Sequence, residues 1–263
     1  MLSLLSVLQI EAQKTIDLSG DWNFEIDRQD IGEKEKWFNQ TLQDVIELPG
    51  SMPERLKGDD VTVRTRWTGS LYDSSYYYNP YMEKYRREGN VKLPFFLTPD
   101  KHYVGVAWYQ KEINLPKDWK KERIVLVLER PHIESTVWVN GHKVGMQNSL
   151  CVAHIYDVTR YVRPGKCNIT IRIDNRIKEI NVGPDSHSIT DQTQGNWNGI
   201  VGRICLQATP HVYFDDIQVF PEPEQKLARV KLRIKSSNKS STTAQVRLSA
   251  ESFNAEKKHI LPV

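Results

Sequence analysis

From Thr15 onward, apolar and polar side chains alternate with a period of two, in short stretches separated by Gly, Pro, Asn and Asp. Successive side chains of a β-strand point to opposite faces of its sheet, so this period is typical of half-buried strands. The stretches are five to nine residues long, which is ordinary strand length. The pattern predicts an all-β chain with strands at residues 22–26, 107–114, 123–129, 135–139, 168–174, 202–208, 212–219, 228–236 and 243–251.

Helical patterns are limited to single turns. One is predicted at residues 33–37 and another at 157–162, where Asp157 or Thr159 could cap the first turn. The chain is therefore expected to contain almost no helix.

The composition is that of an ordinary soluble globular protein: 263 residues, 36 Lys and Arg against 33 Asp and Glu, and 39% hydrophobic residues. A chain of this length forms one large or two smaller domains with their own cores. The near-neutral charge makes nucleic acid an unexpected partner. Cys151, Cys167 and Cys205 form no CxxC pair, so neither a disulfide framework nor a zinc site is predicted.

Residues 1–13 form a separate N-terminal stretch. Its apolar run at 2–10 resembles the hydrophobic region of a secretory signal, and a plain terminal strand or helix is the alternative. The signal interpretation predicts a periplasmic or secreted protein, and the alternative predicts a cytoplasmic one. No stretch approaches the roughly 18 apolar residues of a membrane span, so none is predicted.

The connection between Pro49 and His102 is long and rich in tyrosine. Long loops with many aromatic residues often carry function, and aromatic rings stack on sugars, so we expect Tyr76, Tyr78 and Tyr81 to contact a substrate. The alternative is an aromatic-packed Ω-loop that covers an edge of a sandwich.

A domain boundary is predicted near Pro210. The residues after it read as a meander of alternating strands, as at the start of an immunoglobulin-like sandwich. Such a domain needs about 100 residues, and 53 follow residue 210. The sequence thus predicts one domain at 14–210 and an incomplete second domain at 211–263.

Four stretches, taken in order, resemble the N-terminal part of glycoside hydrolase family 2, the group of β-galactosidases, β-glucuronidases and β-mannosidases. They are Leu18-Ser-Gly-Asp-Trp-Asn-Phe24, Ala107-Trp-Tyr-Gln-Lys111, Val137-Trp-Val-Asn-Gly-His-Lys-Val-Gly145 with Asp157-Val-Thr159, and Asp191-Gln-Thr-Gln-Gly-Asn-Trp-Asn-Gly-Ile200 leading to Arg203-Ile-Cys-Leu206. The resemblance implies a jelly-roll (galactose-binding-like) β-sandwich, then an immunoglobulin-like domain, and then a catalytic TIM barrel.

Several of these residues have structural interpretations. Asn140-Gly141 predicts a type I′ hairpin turn, which needs positive φ at both central positions. Trp22, Trp108 and Trp138 lie inside alternating strands and are predicted to be core residues.

The segment at residues 191–198 is dense in carboxylate, amide and indole groups. Amides and carboxylates hydrogen-bond vicinal hydroxyls, and an indole face stacks on the apolar face of a pyranose. In the family, the matching loop contacts the sugar, which makes Asp191, Gln194, Asn196, Trp197 and Asn198 candidates for substrate binding. Some relatives have a carboxylate at the position of Thr193, so the resemblance assigns no role to this residue. The alternative is a polar loop that satisfies its own hydrogen bonds and braces the interface with the barrel.

No catalytic residue, metal site or cofactor is predicted in this chain. Retaining glycosidases use two carboxyl groups, which the family places on a barrel of about 250 residues, too long for the 53 residues that remain. G-x-S-x-G, HExxH, P-loop and GxGxxG patterns do not occur. His132, His142, His154 and His187 are too dispersed to indicate a metal site.

The functional hypothesis is the non-catalytic, sugar-binding part of a family 2 glycoside hydrolase that retains configuration and acts on terminal β-linked sugars, with β-galactosides expected. The partners would be the carbohydrate and the C-terminal barrel, and the chain alone is expected to be inactive. A free-standing carbohydrate-binding module is the alternative, and a structural adhesion module is a third class.

Overall fold

The computed structural model describes residues 14–62, 64–68, 78–91, 99–178, 195–237 and 246–248, and the backbone of 250–251 and 258–259. Residues 14–208 form one compact unit, and the chain from Thr209 onward belongs to a second. The predicted signal-like stretch at 1–13 lies outside the described residues. None of the helices in the described part of the chain has the length and hydrophobicity needed to cross a membrane.

The described elements are strands and short 3-10 helices. The strands are β1 Lys14–Asp17, β2 Gly20–Asp27, β3 Asp44–Leu48, β4 Gly50–Ser51, β5 Asp59–Asp60, β6 Lys101–His102, β7 Val106–Leu115, β8 Arg123–Leu128, β9 Glu134–Val139, β10 His142–Asn148, β11 His154–Asp157, β12 Gly165–Asp174, β13 Gly199–Ile200, β14 Ile204–Thr209, β15 Val212–Glu222, β16 Leu227–Ser236, β17 Ala250–Glu251 and β18 Lys258–His259. The 3-10 helices are Trp37–Asn39, Pro80–Tyr85, Lys117–Lys121 and Pro223–Gln225.

The unit at residues 14–208 is built from two main sheets. A four-stranded sheet has the order β1-β14-β8-β11, and a six-stranded sheet has the order β10-β9-β12-β7-β2-β3. Every neighbouring pair in the six-stranded sheet is antiparallel. The sheets bury one shared core, as in a β-sandwich, so the all-β prediction is confirmed.

Strand β12 shows how the alternating sequence builds this core. Cys167, Ile169, Ile171 and Ile173 are buried in the core between the sheets, two residues apart along the strand. The intervening residues are also mostly buried, on the outer face of the same sheet. The middle of the six-stranded sheet is therefore covered on both faces.

The segment before β3 covers the outer face of the six-stranded sheet with Trp37 and Phe38. Trp108 and Trp138 lie 5.0 Å apart between ring centroids, Phe38 stacks on Trp138 at 5.2 Å, and Trp37 lies 6.2 Å from Trp108. Trp22, in contrast, lies in the core between the sheets. All three tryptophans predicted as core residues are buried, but Trp108 and Trp138 belong to this second, outer cluster.

The structure contains both predicted turns. Asn140 and Gly141 have φ values of 49° and 78°, as the predicted type I′ turn requires. Within the predicted turn at 157–162, Tyr161 donates its N–H to the Val158 carbonyl at 2.9 Å. Asp157 ends β11, and its Oδ1 caps the turn by accepting from the Thr159 N–H at 3.1 Å.

A hydrogen-bonded group containing one histidine is buried in the sandwich. His154 is completely inaccessible, and its Nδ1 lies 2.6 Å from Ser135 Oγ, which in turn lies 2.7 Å from the Tyr156 hydroxyl. Burial lowers the pKa of His154 below 6.5, against a smaller opposing effect from a hydrogen bond with the Ser149 backbone. Burial also raises the pKa of Tyr156 to about 12.

We expect this histidine to make the sandwich less stable in mild acid. The unfolded chain takes up a proton below about pH 6.5, whereas folded His154 resists it, so stability falls with decreasing pH by at most about 1.4 kcal/mol per pH unit. Urea unfolding at several pH values measures this slope. His154→Gln should flatten it, and the same change at the exposed His142 should not; equal slopes in both variants would contradict the assignment.

A buried ion cluster occupies the outer face of β12 at its C-terminal end. Asp174 is inaccessible and accepts from Arg176 at 2.6 Å and from Lys178 at 2.7 Å. Arg172 lies 3.3 Å from Asp174 and 2.8 Å from Asp30. Burial alone would raise the pKa of Asp174, but the hydrogen bonds from Arg176 and Lys178 lower it well below the usual carboxyl range.

In the second unit, β15 and β16 form a long antiparallel hairpin. Phe214 lies opposite Ile234, and Ile217 opposite Leu232, so apolar residues share one face. The predicted strands at 212–219 and 228–236 lie within this hairpin. Most of the one predicted at 243–251 lies outside the described residues.

Candidate functional site

The loop at residues 195–200 is held by an unusually close backbone contact. β13 pairs with β4, and Met52 donates its N–H to the Asn198 carbonyl at 2.8 Å. Gly199 has a φ of 141°, and a Cβ there would lie 2.5 Å from the Gly50 carbonyl oxygen. Only glycine fits, because a side chain would meet both strained dihedrals and backbone atoms.

Asn198 ties this loop to the end of the sandwich. Its side chain is completely buried, and Oδ1 accepts from the Tyr109 hydroxyl at 2.7 Å. Its Nδ2 donates to the carbonyls of Gly105 at 2.9 Å and Ile173 at 3.1 Å. These bonds occupy both the oxygen and the nitrogen of the side-chain amide. The geometry therefore favours the bracing interpretation for Asn198 over direct sugar contact.

Asn196 forms a second buried amide pair. Its Oδ1 accepts from Asn175 Nδ2 at 2.9 Å, and its Nδ2 donates to the Asn175 carbonyl at 3.0 Å and to Thr68 Oγ1 at 3.1 Å. Only 3% of Asn196 is exposed. This residue also matches the bracing alternative, in which the loop satisfies its own polar groups.

Trp197 projects differently from its two neighbours. It is half-buried, and its indole stacks on the buried His132 imidazole, with ring centroids 4.4 Å apart and planes 22° apart. The backbone N–H of His132 donates to the Gly199 carbonyl at 3.2 Å. The His132 ring therefore packs against the Trp197 indole, and part of the indole surface stays accessible, as stacking on a sugar requires.

Two buried tyrosines complete the frame beneath the loop. Burial raises the pKa of Tyr103 to about 12 and holds that of Tyr109 well above 10, with Tyr103 adding to the latter effect. Both phenols therefore remain protonated donors, Tyr103 to the Val106 carbonyl at 2.9 Å and Tyr109 to Asn198. Sequence analysis missed Tyr103, Tyr109, Asn175 and His132, since no local pattern joins residues so far apart in sequence.

The predicted tyrosine loop is only partly described. Tyr78 and Tyr81 are each 84% exposed, on either side of Asn79, whose side chain caps the 3-10 helix Pro80–Tyr85 by accepting from the Tyr81 N–H at 3.0 Å. In the described part of the chain, no ring contact joins either of them to Trp197. Tyr76, Asp191 and Gln194 lie outside the described residues, so their substrate contacts remain predictions.

The residues on either side of segment 179–194, which carries Asp191, belong to buried polar networks. Asp174 with Arg176 fixes the chain before residue 179, and Asn196 with Asn198 fixes it after residue 194. Within the described ranges, His, Cys, Asp and Glu side chains do not gather in groups of three that could hold a metal ion. The described side chains of the loop can form hydrogen bonds and stack on an apolar ring face.

The chain is similar in sequence to known proteins. Residues 15–210 match the family model described as "Glycosyl hydrolases family 2, sugar binding domain". A beta-glucuronidase from Paenibacillus borealis is 25% identical over 218 residues, covering 77% of this chain and 30% of that protein. A human beta-glucuronidase is 28% identical over 162 residues, which is 52% of this chain and 25% of the human protein.

Solved structures share the fold. A beta-glucuronidase from Ruminococcus gnavus in complex with uronic deoxynojirimycin aligns with a TM-score of 0.60 at 19% identity, over 88% of this chain and 36% of that one. A beta-glucuronidase from an uncultured Clostridium sp. aligns with a TM-score of 0.58 at 23% identity, over 90% of this chain and 36% of that one. The chain thus spans about a third of the length of these proteins.

Proposed function

The chain belongs to glycosyl hydrolase family 2 and carries its sugar-binding domain at residues 15–210, and from this premise we propose that it forms non-catalytic walls of the pocket of a β-glucuronidase. In this proposal the sugar is a terminal β-linked glucuronide, and the two catalytic carboxyl groups of the retaining reaction come from a barrel outside this chain.

The half-buried Trp197 is the observation that carries the proposal. It stacks on His132 and stands on a loop fixed by the buried Asn198 amide, so the partly accessible indole is preorganised. A preorganised aromatic platform loses little conformational entropy when a sugar ring stacks on it. Asp191 and Gln194 remain our candidates for hydroxyl contacts from the same loop, and Tyr76, Tyr78 and Tyr81 for contacts from the other.

The proposal of a glucuronide as the sugar is based on the names of the relatives. Sequence analysis expected a β-galactoside, a general expectation for the family, whereas the relatives compared above are named beta-glucuronidases. We therefore propose the acidic sugar as the one to test first.

Titration of the chain with methyl β-glucuronide, followed by NMR, should show weak binding with a Kd of about 1 mM. Trp197→Ala should weaken it roughly three- to tenfold, because the stacking surface is lost. Phe220→Ala, an exposed aromatic in the other unit, is the matched control and should bind as the parent does.

Two further results are informative. We expect no turnover of nitrophenyl β-glucuronide by the chain alone, and rapid hydrolysis would contradict the non-catalytic role. Tight sugar binding that survives Trp197→Ala would favour a free-standing carbohydrate-binding module with a different site.

A further inference from the structure

The ten-residue pairing of β7 with β12 gives the sandwich two distinct ends. Asp174 pairs with Val106 at the end where the Asn198 network lies, and Gly165 pairs with Leu115 at the other. The connections between β7 and β8 and between β11 and β12 therefore meet at the end away from the candidate site.

These two connections hold an excess of positive charge. Residues 116–123 and 157–166 contain seven Lys and Arg against three Asp and Glu, a net charge of +4, whereas the whole chain carries +3. The rest of the chain thus sums to −1. We call these two stretches the basic end.

Ion pairing inside the protein neutralises only part of this charge. Asp157 accepts from Arg123 at 3.1 Å, and Glu112, just outside the two stretches, accepts from Lys166 at 2.8 Å. Asp118 is paired with Lys14, which also lies outside them. Five other cations at the basic end are exposed and form no ion pair with the described residues: Lys117, Lys120, Lys121, Arg160 and Arg163.

Buried anchors hold both connections in place. Trp119 is 3% exposed between the lysines of the first connection, and Val158 and Val162 are buried on either side of Arg160 in the second. The Val158 N–H bonds to the Ile124 carbonyl at 2.9 Å, which joins the two connections. The cations are thus displayed on a fixed surface.

We propose that the basic end binds an anionic glycan chain rich in uronate, at a site separate from the Trp197 loop. The choice of a glycan rests on the proposed function, in which the same domain recognises an acidic sugar. Tyr161 adds a half-buried ring, with the Arg160 guanidinium 4.7 Å from its centroid, and such rings stack on sugars. None of the exposed large apolar side chains in the described structure lies at the basic end, which disfavours insertion into a lipid surface.

Binding of the chain to immobilised hyaluronan, a polymer with a carboxylate on every second sugar, tests this site. The triple variant Lys117→Gln, Lys120→Gln, Lys121→Gln should bind about tenfold more weakly, and added salt should weaken the parent, because exposed charge pairs are screened. The matched control Lys34→Gln, Lys226→Gln, Lys231→Gln removes three exposed lysines elsewhere and should bind as the parent does.

The outcomes separate this site from the one at Trp197. No binding to hyaluronan, equal loss in both triple variants, or equal binding to neutral dextran would overturn the proposal, as would tighter binding to phosphatidylserine vesicles or duplex DNA. Loss of hyaluronan binding in Trp197→Ala alone would also overturn it and leave the pocket proposal standing. If hyaluronan binding depends on the three lysines and methyl β-glucuronide causes no NMR response, the proposed glycan site at the basic end is supported. The same result would contradict the proposed sugar contact at Trp197.

Discussion

Replacing Asn198 with alanine is expected to lower the free energy of unfolding of the sandwich by about 3–5 kcal/mol. The substitution removes the acceptor of the Tyr109 hydroxyl and one donor to each of the carbonyls of Gly105 and Ile173 in a fully buried space. The Gly105 carbonyl keeps the Asn175 N–H at 3.3 Å. Each unsatisfied buried polar group costs about 1–3 kcal/mol. All seven tryptophans lie before residue 208, so urea unfolding followed by tryptophan fluorescence reports this unit alone.

Two variants give this measurement its controls. Asn198→Asp keeps the acceptor for Tyr109 but turns a carboxylate oxygen toward two carbonyls, so we expect at least the same loss of stability. Asn148→Ala, at the exposed end of β10, should change stability by no more than about 0.5 kcal/mol. A loss below about 1 kcal/mol in Asn198→Ala would show that the loop does not depend on this amide.

Replacing Asp174 with asparagine should cost a similar amount, about 3–5 kcal/mol at pH 7. The change keeps the shape of the side chain but removes the inaccessible carboxylate that faces Arg172, Arg176 and Lys178. Without Asp174, the three cations share only Asp30 and Glu134, so part of the positive charge of the cluster loses its compensation. The side chain of Arg172 in this cluster is 9% exposed. Urea unfolding again measures the loss.

The pH dependence of this variant provides an independent check. The folded pKa of Asp174 lies below the reference value of 3.8, so its stabilisation is present above that pH and is lost as pH falls toward the folded value. The difference between parent and variant should therefore narrow below about pH 4. Glu112→Gln, which breaks the exposed pair with Lys166, should leave the free energy of unfolding almost unchanged, because exposed ion pairs contribute little. Equal losses in the two variants would contradict the buried role of Asp174.

Local patterns in the sequence predicted strands that place apolar residues in the core between the sheets. β7, β9 and β12 contribute core residues at alternating positions, although most of their other residues are buried as well, on the outer face. The Asn140-Gly141 turn follows from its own two residues. β10, at the edge of the six-stranded sheet, was missed because none of its residues is fully buried, so it carries little alternation.

The candidate site could be predicted only in outline. The sequence identified the loop and Trp197, but it made the buried Asn198 and the half-buried Trp197 equal candidates for sugar contact, and their difference in burial comes from tertiary contacts. His132 stands 65 residues before Trp197, and backbone pairing between the two segments, at the bridge of Pro131 with Ile200 and at the bond from His132 to Gly199, brings the two rings together. Such long-range pairing leaves no periodic signal in one sequence.

The pairing of β1 with β14 also affects when the sandwich can assemble. Lys14 lies opposite Ala208, so the first and last strands of the domain are neighbours in one sheet. During synthesis, β1 emerges long before its partner exists, and the sheet cannot close until almost the whole domain has been made. The nascent chain must therefore keep an unpaired strand edge exposed, the state in which such proteins aggregate most readily.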